Sequence, residues 1–114
     1  MTTYTGSCHC GGVRFEFRTA APITKGVRCN CSICIRRGCV MSPDYVAVEL
    51  VAKDTLAIYQ WGDHDMNHFF CRVCGIYPFS NIVAQPTRYR VNLGCVADLD
   101  PLALPVDVID GRAM

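Results

Sequence analysis

Cys29-Asn30-Cys31-Ser32-Ile33-Cys34 places three thiols within six residues. No packing requirement explains such density. Two further clusters flank it, Cys8-His9-Cys10 upstream and Cys71-Arg72-Val73-Cys74-Gly75 downstream. A structural Zn²⁺ takes four ligands, and thiolates suit it. The seven clustered thiols therefore make one complete four-ligand set with three left over. Three protein ligands with an open position is the usual form of a catalytic zinc site. The alternative is a second structural site, closed by a ligand distant in sequence: His9, Cys39, His64, His68 or Cys95. As lone thiols in apolar stretches, Cys39 and Cys95 read as small core residues. His9 reads as facing solvent between two ligands, and His64 and His68 as surface-loop residues.

A chain of 114 residues, 51% of them apolar, bounds the rest. It suits one domain with a real core, spanning residues 1–114. Eleven basic against ten acidic side chains leave no excess to grip a phosphate backbone, which argues against nucleic acid as the main partner. Met1-Thr2-Thr3-Tyr4-Thr5 has neither a basic nor an apolar signal region. No apolar run reaches the roughly 18 residues of a membrane span. Nine cysteines without a secretion signal indicate reduced thiols and a cytoplasmic protein. Nine is odd, and Cys-x-Cys pairs sit too close for an easy bridge, so metal is favoured over disulfides.

Between the clusters the pattern is that of short strands. Val13-Arg14-Phe15-Glu16-Phe17-Arg18 alternates strictly, placing Val13, Phe15 and Phe17 inward as a hairpin partner of Tyr4–Ser7. Strands are also expected over 23–28, 39–41, 45–51, 55–61, 76–82, 89–93 and 106–109. His64–His68 reads as a loop and Gln85-Pro86-Thr87 as a turn. Ser32 is placed to cap a short helical turn through Arg37, which Gly38 can end. Gly11, Gly12 and Gly75 supply the backbone freedom that tight thiolate turns need.

Taken in order, Gly6-Ser7-Cys8-His9-Cys10-Gly11-Gly12-Val13, the central Cys29–Cys34 stretch and Phe70-Cys71-Arg72-Val73-Cys74-Gly75 resemble the glutathione-dependent formaldehyde-activating enzyme family, which includes relatives of centromere protein V. Val91–Cys95 and Ile109-Asp110-Gly111-Arg112 resemble its C-terminal half. The resemblance implies an all-β, Mss4-like fold of short antiparallel strands linked by zinc sites. It also implies two Zn²⁺ per chain: a structural ion on Cys8, Cys10, Cys71 and Cys74, and a catalytic ion on Cys29, Cys31 and Cys34. The implied activity is that of a carbon–sulfur lyase handling a thiol–aldehyde adduct such as S-hydroxymethylglutathione. The small-molecule partner would then be a thiol; Arg36 and Arg37 can offset the thiolate charge, hold the partner's carboxylates or simply be solvated. The rival is a non-catalytic zinc-stabilised binding module. Neither nucleic acid nor a membrane is expected as partner, and the sequence leaves the oligomeric state open.

Overall fold

In the computed structural model, which describes residues 1–113, the expected alternation becomes a strand whose outward residues are exposed and inward ones buried. In chain order the elements are β1 (Thr2–Ser7), β2 (Arg14–Thr19), β3 (Gly26–Cys29), α1 (Ser32–Arg37), β4 (Val46–Ala52), β5 (Leu56–Tyr59), β6 (Met66–Cys71), β7 (Phe79–Ile82), β8 (Gln85–Val91) and β9 (Val106–Ile109). Single 3-10 turns follow β8 at Leu93–Cys95 and β9 at Gly111–Ala113. The protein is all-β, as the resemblance implied. Seven strands form one antiparallel sheet in the order β1-β2-β4-β8-β7-β6-β5. The exception to antiparallel pairing is a separate parallel pair, β3 with β9. No helix among the described residues is long and apolar enough to cross a membrane.

The sheet wraps an apolar core. Val13, Phe15 and Phe17 from the β2 hairpin meet Phe69, Phe79, Val91 and Leu93 from the other end of the sheet. Phe79 is fully buried and sits edge-on to three rings, Phe15 at 5.2 Å, Phe69 at 5.3 Å and Tyr89 at 5.1 Å. Edge-to-face pairs of this kind add to the apolar burial of each ring.

Four local expectations are corrected. Residues 66–68 are strand, not loop. Met66, Asn67 and His68 pair with Ile82, Asn81 and Ser80 of β7, and their amides find partners, Asn67 donating to Asn81 at 3.0 Å and accepting from Gln60 at 2.7 Å. A polar strand is stable once its side chains are satisfied in this way. The turn is Val83-Ala84, and Gln85-Pro86-Thr87 begins β8. Pro86 is tolerated because β4 pairs only with Arg88 and Tyr89, so no ladder donor is needed at residue 86 on that side. Cys39–Met41 contributes only isolated bridges at Met41. Cys31, not Ser32, is the cap residue of α1, and its side chain makes no capping bond.

Candidate functional site

Two groups of thiols converge. Cys8 and Cys10 follow β1, Cys71 ends β6 and Cys74 follows it, so the two pairs come from strands far apart in the sheet order. Their four sulfurs lie within 4.8 Å of one another. Cys10 Sγ is 3.7 Å from Cys8 Sγ and 3.6 Å from Cys71 Sγ. A tetrahedron with Zn–S bonds of about 2.3 Å has edges of about 3.8 Å. The donor set therefore fits a thiolate metal centre, and all nine cysteines are free of disulfides.

The chain shapes each half of this centre by a similar turn. Gly11 (φ +83°) and Gly75 (φ +79°) occupy the left-handed region that side chains disfavour. The Gly75 N–H donates to the Cys71 carbonyl at 2.7 Å, closing the turn. Backbone N–H groups then point at sulfur, Val13 to Cys8 at 3.3 Å and Cys74 to Cys71 at 3.5 Å. The Thr55 hydroxyl lies 3.2 Å from Cys71 Sγ. That hydroxyl, helped by the Cys74 N–H, draws the Cys71 thiol down to a pKa of about 6. These contacts stabilise the thiolate, the form that binds metal.

Cys29, Cys31 and Cys34 form the second group, again with sulfurs within 4.8 Å. Cys29 ends β3, Cys31 caps α1 and Cys34 lies within that helix. Among the described residues no fourth His, Cys, Asp or Glu joins them at that distance. His9, Cys39, His64, His68 and Cys95, the residues considered for closing the site, do not complete it. Burial opposes ionisation of Cys31, but the Cys34 N–H and the neighbouring thiols hold it below its ordinary value. Burial and Cys31 push Cys34 up to about 12.

The three thiols line a cavity of about 580 Å³. Val27, Met41, Met66 and Ile109 give it apolar walls, and His68, Tyr77, Ser80 and Arg90 add polar groups. Arg90 projects from β8 on the face opposite Val91. Its guanidinium donates to the Pro43 carbonyl at 3.0 Å and lies 4.6 Å from the Tyr45 ring centroid. Its Nε is buried without a partner. Arg36 and Arg37, considered as carboxylate ligands, as offsets to the thiolate charge or as ordinary solvated arginines, are engaged elsewhere. Arg36 bonds the Ser32 carbonyl of its own helix at 2.7 Å. Arg37 lies 3.6 Å over the Tyr77 ring and bonds His68. Neither lines the cavity.

The C-terminal segment backs the three-thiol group. Asn30 donates to the Asp110 carboxylate at 2.9 Å, and its side-chain oxygen accepts from the Arg112 N–H at 2.8 Å. This clamp seats Gly111 against the cysteines, where a Cβ would stand 2.4 Å from Cys29 Sγ. Sequence reading missed Asn30, Arg90 and Gly111 as parts of this site, and it considered His68 only as a closing ligand or a surface-loop residue, whereas the side chain lines the cavity. The Asp110-Gly111-Arg112 resemblance was the one signal that pointed towards Gly111.

Comparison with known proteins follows the same lines. The family model described as "Glutathione-dependent formaldehyde-activating enzyme" matches residues 3–108. A crystal structure of a Rhodobacter sphaeroides protein, a structural genomics target, is 32% identical. The alignment covers 90% of this chain and 99% of that one, with a TM-score of 0.77.

Proposed function

The chain belongs to the glutathione-dependent formaldehyde-activating enzyme family, and from that premise we propose that residues 1–114 form one zinc-dependent domain with carbon–sulfur lyase activity on a thiol–aldehyde adduct such as S-hydroxymethylglutathione. The observation that carries this reading is the convergence of three thiols, with no fourth ligand among the described residues, on the wall of a cavity large enough for a tripeptide. Cys8, Cys10, Cys71 and Cys74 would hold the structural zinc. Cys29, Cys31 and Cys34 would hold the second, with its remaining position facing the substrate. Bound there, zinc supplies a positive centre that lowers the pKa of a thiol and polarises a carbonyl.

The chain's own residues supply the rest. The apolar walls exclude water from the reacting atoms. Arg90 is the cavity's guanidinium, and no protein carboxylate neutralises it: the ion pair among the described residues is Lys25 with Asp107. The Arg90 charge is unneutralised, and the N–H groups that do not donate to Pro43 suit the capture of a substrate carboxylate. Asp63 and Asp65 on the rim offer acceptors for an ammonium group.

Calorimetric titration of the zinc-loaded protein with glutathione, and then with S-methylglutathione, tests this assignment. The analogue keeps both carboxylates but offers no thiolate. Glutathione should bind at one site, the analogue at least about tenfold more weakly, and Cys31→Ser should abolish the difference. Equal binding of the two would assign recognition to Arg90 alone. Binding of neither would favour the non-catalytic module.

A further inference from the structure

His68 has no part in the assignment above, yet it lines the same cavity. It lies in β6 and is only 6% exposed. A buried imidazole normally satisfies both ring nitrogens. Here Arg37 Nη1 lies 3.2 Å from Nδ1. A guanidinium donates and never accepts, so Nδ1 must be the acceptor. A neutral ring then carries its proton on Nε2. Among the described residues Arg90 Nε is the side-chain nitrogen that is both fully occluded and unpartnered. The Nε2–H of His68 has no protein acceptor and is not fully occluded, and it belongs to a side chain that lines the cavity.

The lock on this tautomer comes from the site itself. Arg37 stands one helical turn after Cys34 in α1, and its guanidinium carbon packs 3.6 Å from the centre of the Tyr77 ring. The groups facing His68 are Arg37 from α1, Asp65 ahead of β6, Tyr59 from β5 at 6.5 Å between ring centres, and Ser80 opposite it on β7. Burial and then the Arg37 charge push its pKa down to about 4, with Asp65 opposing. The ring is thus neutral at physiological pH and is not poised to exchange protons.

We propose that His68 is a fixed hydrogen-bond donor whose Nε2–H binds the oxygen of the aldehyde, or of the hydroxymethyl group formed from it, and that Arg37 is the residue that positions it. This rests on the thiol–aldehyde reading above. In the forward step the thiolate sulfur bonds to the aldehyde carbon, and the carbonyl π pair moves onto oxygen. That oxygen then takes a proton from water, the thiol's own proton having gone to solvent on ionisation. No oxidant or reductant is needed. The donor acts on the oxygen as its charge grows, which is where a preorganised N–H contributes most.

Two measurements test it. The first is the ¹⁵N spectrum of histidine-labelled, zinc-loaded protein, where only three histidines need assignment. His68 should show a bare Nδ1 and a protonated Nε2 from pH 5.5 to pH 8, and Arg37→Met should release it to mixed tautomers. A proton on Nδ1 overturns the proposal. The second is the exchange rate between formaldehyde with glutathione and their adduct, followed by magnetisation transfer. His68→Leu should slow exchange about 10²-fold with glutathione affinity unchanged, while His68→Gln, which keeps an N–H, should stay within about fivefold of wild type. Wild-type exchange rates in His68→Leu, or equal losses in Leu and Gln, overturn the donor role alone. An inactive wild-type protein overturns the thiol–aldehyde reading and this proposal with it.

Discussion

Substituting Gly111 by alanine should selectively disable the three-thiol site. The added Cβ would stand 2.4 Å from Cys29 Sγ and 3.0 Å from Cys31 Cβ. Ordinary non-bonded contact is about 3.5–4.0 Å, so one partner must retreat by more than about 1 Å. Metal–ligand distances tolerate only about 0.2 Å. If the sulfur moves, the metal site is lost. If the tail moves instead, the two clamp bonds between Asn30 and the 110–112 segment break. At about 0.5–1.5 kcal/mol each, that costs about 1–3 kcal/mol, or roughly 5- to 150-fold in metal affinity. Either route spares the Cys8–Cys10–Cys71–Cys74 centre, which does not contact Gly111. Cobalt substitution provides the assay, because thiolate-to-cobalt charge-transfer absorption reports each occupied site. Wild type should titrate to two equivalents, and Gly111→Ala should fill its second site at least about fivefold more weakly while the first fills as in wild type. Two equivalents bound with wild-type affinity would show that the C-terminal segment does not wall the site, and the reasoning would fail.

The two centres should differ in what they support. Cys71→Ser should lower the thermal midpoint far more than Cys31→Ser, since the former joins distant strands, and equal losses in both would reverse the assignment. Phe79→Ala removes a fully buried ring in contact with three others and should cost about 3–5 kcal/mol in denaturant unfolding; a loss under about 1 kcal/mol would mean that the core collapses around the gap. His68 has a folded pKa of about 4, below its ordinary 6.5, so the unfolded chain takes up that proton first as pH falls. Its contribution is intact above pH 6.5 and fades between 6.5 and 4, on the order of 3 kcal/mol in all. The stability difference between wild type and His68→Gln should narrow through that window, and a difference flat in pH would contradict it.

What the sequence made legible was local chemistry. Thiol spacing pointed to both groups because ligands of one turn must lie close in the chain, and the strict alternation at residues 13–18 announced its buried face. The pairing of Cys8 and Cys10 with Cys71 and Cys74 needed the family resemblance, because spacing says nothing about which distant turns meet. His68 looked like loop because Met66-Asn67-His68 lacks apolar alternation, and its strand is stabilised by amides on neighbouring strands. Arg90 lay on what alternation marks as the outward face beside Val91. In this fold that face looks into a cavity, not into bulk water. Asn30 was hidden for a different reason: both its partners come from a tail some 80 residues away.

The four-cysteine centre also ties the protein to its surroundings. Its ligands come from the ends of β1 and β6, strands separated by four others in the sheet, and the folded chain brings them together. A metal held by all four thiolates binds the open chain, which offers only one pair at a time, more weakly, so folding and binding are coupled. By mass action, each tenfold rise in free metal above its dissociation constant adds about 1.4 kcal/mol to the folded state. The melting temperature of this protein is then not a fixed property of its sequence. It would follow the activity of whichever metal this centre takes, and a chelator should then act on it as a denaturant does.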